Sequence, residues 1–474
     1  MPRSLALALC VLILHASLAR AQEPANLRAD ALAAMKKAAA YYRGTVASRG
    51  GYVYYYSLDL KERWGEGKAT PDILFVQPPG TPAVGMAYLK AYAATKDTFY
   101  RDAARETAEC LLYGQLQSGG WTQTIHFAPA NRVGKYRNGK GGNVNNSSLD
   151  DGQTQAALVM LMRLDAALDF KDAKVHEAAE YGLKGLLAAQ FANGAFPQIW
   201  TKPAEKRPVA KASYPEYDWK TEGRVKNYWD YPTLNDGLAG TVADVLIEAH
   251  QTYKDDRYKA ALAKLGDFLI LAQMPDPQPG WAQQYSHDMH PMWARKFEPP
   301  AITGSESQDA MTKLIRIARH TGDKKYLEPV PRALAYFRKS LLPDGRLARF
   351  YELKTNKPLY MNAKYELTHD DADTPSHYGW KVSANLDRIR KQYDDAKAGV
   401  APPARKPDAK RLEAEVRRVV KDLDATGRWV TTHRGEKLVG QPKFADGFQY
   451  LSSAVFIRNV ETLSEFVGAE IAGK

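Results

Sequence analysis

Val175-His-Glu-Ala-Ala-Glu-Tyr-Gly-Leu-Lys-Gly-Leu-Leu-Ala-Ala-Gln190 decides the fold class of this 474-residue chain. Val175, Ala178, Ala179, Leu183, Leu186 and Leu187 recur every three or four residues, which places them on one face of an amphipathic helix. In the segment before it, Gln155 to Leu168, the residues Ala156, Leu158, Leu161, Leu164 and Leu168 repeat in the same way. The two segments read as a helical hairpin. Directly after it comes Gly194-Ala-Phe-Pro-Gln198, a glycine-and-aromatic turn that ends in a polar residue. The turn returns as Gly50-Gly-Tyr-Val-Tyr-Tyr55, Gly119-Gly-Trp-Thr-Gln123, Gly280-Trp-Ala-Gln283 and, more weakly, Gly345-Arg-Leu-Ala-Arg349. The intervals from Trp121 to Phe196 and from Phe196 to Trp281, 75 and 85 residues, each have room for two helices and a loop. Such self-similarity marks stacked helical hairpins. The expected fold is all-α, an (α/α) toroid or incomplete barrel with long irregular loops and short β pieces; no longer strand is evident, so a sheet-based fold is disfavoured.

The two ends are read separately. Arg3, the apolar run from Leu5 to Leu14 and Ala19-Arg20-Ala21 form a signal peptide over residues 1–21, which predicts a secreted or periplasmic protein. That run is too short to span a bilayer and nothing later is long enough. Cys10 follows Leu9, where a lipoprotein leader needs a small residue, so no membrane anchor is expected. Cys110 is then the only cysteine, and no internal disulfide forms. Residues 22–400 are expected to form the toroid. Ala401-Pro-Pro-Ala-Arg-Lys-Pro407 breaks the pattern, and 401–474 reads as a C-terminal helical extension packed on it. A monomer is expected.

Against 54 Asp and Glu stand 66 Lys and Arg, a formal charge of +12, and removing the leader with Arg3 and Arg20 leaves +10. This balance favours an anionic partner as well as solubility. Export and the lack of a zinc-finger or helix-turn-helix signal argue against nucleic acid, and an acidic polysaccharide fits better.

Three helices open on related sequences: Ser148-Leu-Asp-Asp151, Thr233-Leu-Asn-Asp236 and Thr303-Gly-Ser-Glu306. Ser or Thr followed three residues later by an acid resembles a capping box, so each acid taken singly reads as a helix cap. If the repeats are equivalent, these starts converge at one end of the toroid, where loops would carry the function. Two long basic connections, Thr124 to Ser147 and Thr201 to Pro232, add Tyr214, Trp219, Tyr228 and Trp229, which could stack on sugar faces or pack the loop down.

The string Trp281-Ala-Gln-Gln-Tyr285, Ala294-Arg295-Lys-Phe-Glu298, Thr303-Gly-Ser-Glu-Ser307 and Arg349-Phe-Tyr-Glu352 resembles the pectic acid (polygalacturonate) lyases of polysaccharide lyase family 10. The resemblance covers roughly Gly119 to Lys364 and is most specific from Phe196 to Pro358. It implies β-elimination on a polyuronate with Arg295 as the base that takes the C5 proton and Arg349 binding a substrate carboxylate. It further implies that Asp150, Asp151 and Asp236 hold Ca²⁺, a hard cation suited to oxygen ligands from different segments. Trp281, Gln283, Glu306, Tyr351 and Lys364 are assigned to substrate. The chain departs from the family where Gln284-Tyr285 replaces a histidine-bearing ending and where Lys364 stands for a further arginine; lysine lacks the planar fork that grips a carboxylate.

An arginine base must lose a proton that its solution pKa, above about 12, holds firmly. Arg295 could instead pair with Glu298 or Glu306 and hold a loop. Two other functions remain open: a glycoside hydrolase using Asp151 with Asp236 or Glu352, and a polyuronate-binding protein without chemistry.

Overall fold

The computed structural model describes residues 27–131, 133–403 and 408–472. The leader read in residues 1–21 and Arg132 of the first long connection lie outside them. Twelve α-helices are present among the described residues: α1 (Leu27–Tyr41), α2 (Thr81–Thr95), α3 (Thr98–Gly114), α4 (Gln153–Ala167), α5 (Ala173–Ala189), α6 (Leu238–Tyr253), α7 (Asp256–Leu271), α8 (Gly304–Thr321), α9 (Pro329–Lys339), α10 (Leu386–Lys397), α11 (Ala409–Lys421) and α12 (Ser453–Ala472). No helix of these residues is long and apolar enough to cross a membrane.

Helix α5 buries Val175, Ala178, Ala179, Gly182, Leu183 and Leu186, the stripe its periodicity predicts, while Leu187 is only half-buried. It packs on α4, which is covered on more sides and also buries Gln153, Thr154, Gln155 and Asp165. The same relation repeats along the chain. The helices α12, α2, α4, α6 and α8 touch in that order as an inner row; α3 lies on α2, α5 on α4, α7 on α6, and α9 and α10 on α8. Helices α1 and α11 both pack on α12, so the two ends of the chain meet at one end of the row. The fold is an (α/α) toroid of helical hairpins, with strands of no more than four residues.

Those short strands fix the repeat. The residues just before an inner helix pair antiparallel with the aromatic turn of the next repeat: Phe75 with Thr124, Ser148 with Ile199, Thr303 with Phe350, and Ser452 with Tyr55. Thr233 and Gln284 form the corresponding bridge. One backbone hydrogen bond recurs in each copy: Val76 N–H donates to the Gln123 carbonyl, Leu149 to Gln198, Leu234 to Gln283, Gly304 to Arg349, and Ser453 to Tyr54, all at 2.8–2.9 Å. The five acceptor residues are therefore equivalent, and all stand at one end of the toroid.

Each turn is anchored by its aromatic residue. Trp121 and Trp281 are fully buried, and their indole N–H groups donate to the Leu111 and Leu269 carbonyls at 2.8 and 2.7 Å. Replacing Trp281 with alanine is expected to cost ~3–5 kcal/mol, the usual range for deleting a buried large aromatic. Urea denaturation of the variant reads this directly, and a loss under ~1 kcal/mol would mean the turn is not anchored there.

The two ends of the toroid differ in how helices begin. The outer helices α3, α5 and α7 start at Asp97, Asp172 and Asp255, whose carboxylates accept backbone N–H bonds as caps. The inner helices α2, α4, α6 and α8 have no side-chain cap. The capping-box reading of their first residues is thereby corrected. Ser148 and Thr233 hydroxyls accept from the Asp150 and Asn235 N–H groups at 3.1 Å, closing tight turns ahead of the helices. Asp151 and Asp236 themselves sit at φ +44° and +49°, followed by Gly152 and Gly237 at +73° and +69°. Two left-handed residues in a row are rare outside glycine, and strain of this kind collects at functional sites. It turns both carboxylates out of the helix starts and toward the central cleft.

Candidate active site

Asp150, Asp151 and Asp236 each offer a carboxylate oxygen within 4.8 Å of the others. They are the one such cluster among the described residues. Like charges this close resist ionisation together. Burial first, then Asp150, Asp236 and Glu66, push the Asp151 carboxyl up to about 6; burial and Asp236 likewise raise Asp150. Arg295 works against both shifts, as the cation that faces the cluster. Oxygen ligands from two segments with this unbalanced charge fit a hard divalent cation such as Ca²⁺.

Arg295 reaches the cluster from the loop before α8. Its Nη2 lies 3.2 Å from Asp236 Oδ2. Glu298 holds the same Nη2 and the neighbouring Nε as a fork, Nε to Oε2 at 2.9 Å and Nη2 to Oε1 at 2.8 Å, and also accepts from the Arg295 backbone N–H at 2.9 Å. Glu298 is 1% exposed. Burial alone would lower the Arg295 pKa, but Glu298 and then Asp236 outweigh it and raise the value, so the guanidinium is charged in the resting chain. The pairing with Glu298 that the sequence allowed is therefore formed, and it leaves Arg295 partly open to the cleft.

Arg349 comes from the short strand pairing at Phe350 and Tyr351. Its Nη2 is 3.4 Å from Glu306 Oε1 at the start of α8, and its Nε has no partner. Tyr378 links the two arginines: its ring lies 4.2 Å beneath the Arg349 guanidinium and its hydroxyl donates to Glu298 Oε1 at 3.0 Å. Between Asp236 and Arg349 along the cleft, Gln283 is 3% exposed, and neither its amide nitrogen nor its oxygen has a hydrogen-bond partner. The Glu306 Oε2 is equally unpartnered. Buried polar groups left unsatisfied are costly, so these atoms are candidates to meet a polar ligand.

The structure thus brings Arg295, Arg349, Glu306, Gln283, Asp150, Asp151 and Asp236 into one cleft. Two other sequence-derived assignments need correction, and a third, Lys364, stays with the proposal. Trp281 is fully buried with its indole N–H engaged at Leu269, and Tyr351 is 1% exposed with its hydroxyl donating to the Ser340 carbonyl at 2.6 Å. Both support the turns from beneath and cannot stack on a ligand. Lys364 is exposed on the Asn362–Glu366 turn, and among the described residues no side-chain ion pair ties it to the cleft. The aromatic residues of the long connection divide: Tyr214 donates to Pro275 and Trp219 accepts from the Trp293 indole, packing the loop down, whereas Tyr228 lies near Arg295, Glu298, Asp150 and Asp236.

Several cleft residues had no sequence signal. Tyr378 follows no repeat. Glu66 and Gln77 come from the first repeat, where Gln77 Nε2 donates to Glu66 Oε1 at 2.7 Å and to Asp151 Oδ2 at 3.2 Å. Gln123 and Gln198 end aromatic turns and were visible as such, but only the equivalence of the five turns reveals that they line the same cleft as Arg349.

The helical toroid's uncapped inner helices thus present a carboxylate cluster opposite two linked arginines. Residues 130–347 match the family model described as pectic acid lyase. No curated protein matches the sequence. Among solved structures, a mutant of the Family 10 polysaccharide lyase from Cellvibrio cellulosa in complex with trigalaturonic acid is 20% identical, covering 68% of this chain and 98% of that one with a TM-score of 0.45. The GH76 alpha-mannanase from Bacteroides thetaiotaomicron is 10% identical over 94% of this chain and 98% of its own, TM-score 0.44. A cellobiose 2-epimerase from Spirochaeta thermophila is 13% identical over 94% and 100%, TM-score 0.45.

Proposed function

We propose that the chain cleaves a polygalacturonate-type polyuronate by β-elimination, with Arg295 as the base, Arg349 on the substrate carboxylate and Ca²⁺ at the aspartate cluster. The observation that carries this reading is the position of Arg295, which touches the cluster through Asp236 on one side and is tied to Arg349 through Glu298 and Tyr378 on the other. A uronate carboxylate held by Arg349 and facing a cation at the aspartate cluster would have its charge cancelled, which acidifies the C5 proton. That proton moves to Arg295, the C4–C5 double bond forms, the bond to O4 breaks with its electron pair, and the departing oxygen takes a proton from solvent.

Arg295 must first become neutral. The buried Glu298 fork is suited to take its proton, because in a desolvated pocket a neutral pair costs less than in water relative to an ion pair. Asp150, Asp151 and Asp236 would hold Ca²⁺, which when bound supplies positive charge to offset the substrate carboxylate. Substrate oligomers are expected to leave Gln283 and Glu306 with hydrogen-bond partners. Export through the leader at 1–21 belongs to the same proposal.

The test is the ultraviolet absorbance of the conjugated unsaturated uronide, followed on polyuronate with and without chelator. No rise on any polyuronate would sink the reading. A hydrolase reading has no observation in its favour, and Glu352 is buried against Lys220 at 2.6 Å.

The cluster also predicts how pH and calcium combine. A carboxyl whose folded pKa is raised costs stability above that pKa, and the cost fades as pH falls toward the unfolded value of about 3.9. For Asp151, pushed up to about 6, the cost is present at pH 7–8 and is relieved through pH 6 to 4. Calcium should therefore raise the melting temperature clearly at pH 7.5 and little at pH 5, where protons compete for the same oxygens. Equal shifts at both pH values would contradict the assignment of the cluster.

A further inference from the structure

The five equivalent turn ends, Tyr54, Gln123, Gln198, Gln283 and Arg349, surround one cleft but differ in chemistry. On the Arg349 side the cleft offers two guanidiniums, Arg295 and Arg349, both donors and both positive. On the opposite side, around Tyr54 and Gln123, no cation stands among the described residues. Glu66 stands there, exposed, and among the described residues it has no ion pair; the nearby Lys68 is paired with Glu62 at 2.5 Å.

The amides around Glu66 are already used. Gln123 Nε2 donates to Glu66 Oε2 at 2.6 Å and to Gln77 Oε1 at 3.1 Å. Gln77 Nε2 donates to Glu66 and Asp151, and Gln153 Nε2 donates to Gln77 Oε1 at 3.3 Å. An amide nitrogen has two hydrogens, so Gln77 and Gln123 have none left to give. What this wall still offers a ligand is acceptor lone pairs and negative charge. Beneath it lie two buried side chains with unpartnered polar atoms: the Tyr54 hydroxyl, which feels the charges of Glu66 and Asp151, and Gln153 Oε1, on a side chain 5% exposed. A uronate carboxylate would meet the like charge of Glu66 here. A sugar hydroxyl would meet acceptors fixed in place.

We infer that the Glu66–Gln77–Gln123 wall is a subsite for an uncharged sugar residue, bound through its hydroxyls, next to the uronate held by Arg295 and Arg349. This rests on the polyuronate lyase reading and narrows its substrate: the preferred polymer is not uniformly charged, and the residue at this wall is a neutral sugar or a methyl-esterified uronate. Glu66 and Gln77 lie before residue 130, outside the segment that matches the pectic acid lyase family, so the first repeat adds this wall to the family's cleft.

The test compares three polymers at fixed calcium: polygalacturonate, a backbone alternating galacturonate with rhamnose, and highly methyl-esterified polygalacturonate. The full chain is expected to show at least ~tenfold higher kcat/KM on one of the two mixed polymers than on polygalacturonate, the scale of one like-charge contact in a partly screened cleft. Which mixed polymer wins identifies the neutral residue. Glu66→Gln, an isosteric change on an exposed side chain, is expected to bring the ratio toward one by improving polygalacturonate, and Gln123→Ala to weaken the mixed polymer. Highest kcat/KM on polygalacturonate, or a ratio that Glu66→Gln leaves unchanged, overturns the inference. So does a drop in calcium stoichiometry in Glu66→Gln by calorimetry with calcium alone, because the wall would then be a cation site. If no polymer gives unsaturated product, the lyase reading fails, and calorimetric binding of oligomers from the same three polymers still decides the subsite by the same order of preference.

Discussion

Replacing Arg295 with alanine is expected to stop formation of unsaturated uronide while the protein remains folded and still binds uronate oligomers. Loss of a positioned base removes about 10²–10⁴-fold in rate. Binding persists because Arg349 keeps its own contacts with Glu306 and the Tyr378 ring. Calcium affinity should not fall, since the substitution removes a cation from beside Asp236 and leaves three carboxylates in place. Arg295→Lys should recover little: an ammonium cannot reproduce the two-pronged contact with Glu298. The decisive measurements are kcat on polyuronate and calorimetric binding of a short oligomer to the same preparation. A kcat within about tenfold of the parent chain would show that another group takes the proton.

The parts of this site differ in how far the sequence exposes them. Helix α5 and the aromatic turns were legible because burial on one face leaves a period in the residues, and each turn needs a glycine and an anchor such as Trp121 or Trp281. Arg295, Arg349 and the aspartates were legible as members of an ordered string of motifs. Their conformation was not. Ser148-Leu-Asp-Asp151 satisfies the pattern of a capping box, and only backbone dihedrals show that Asp151 is left-handed and turned to the cleft. Trp281 and Tyr351 misled for a related reason: an aromatic side chain can face ligand or core equally well, and the repeat requires these two in the core. Tyr54 was hidden differently. Its equivalence to Gln123 and Arg349 depends on the hydrogen bond from Ser453, about four hundred residues away in the chain, and no local pattern encodes such a pairing. Glu66 and Tyr378 owe their places to that same closure and to loop packing, which periodicity does not report.

Asp236→Ala should separate the cation site from the base. Asp236 does two things at once: it contributes an oxygen to the carboxylate cluster and it is one of the two anions that hold Arg295. Removing one of three closely spaced charges from a partly desolvated site forfeits on the order of 3–4 kcal/mol of attraction for a cation, or at least about a hundredfold in affinity. Calcium titrations by calorimetry should show that loss, and the calcium-dependent gain in melting temperature at pH 7.5 should disappear. The effect on Arg295 has the opposite character. With Glu298 still forked on it, the guanidinium keeps its position but loses a charge that raised its pKa, so what activity remains should have its pH profile shifted to lower pH on the basic-group limb. A merely structural role for Asp236 moves neither quantity in this way: it lowers melting temperature with and without calcium alike. Unchanged calcium affinity in a folded Asp236→Ala protein would remove the aspartate cluster from the mechanism and leave Arg349 to bear the substrate charge alone.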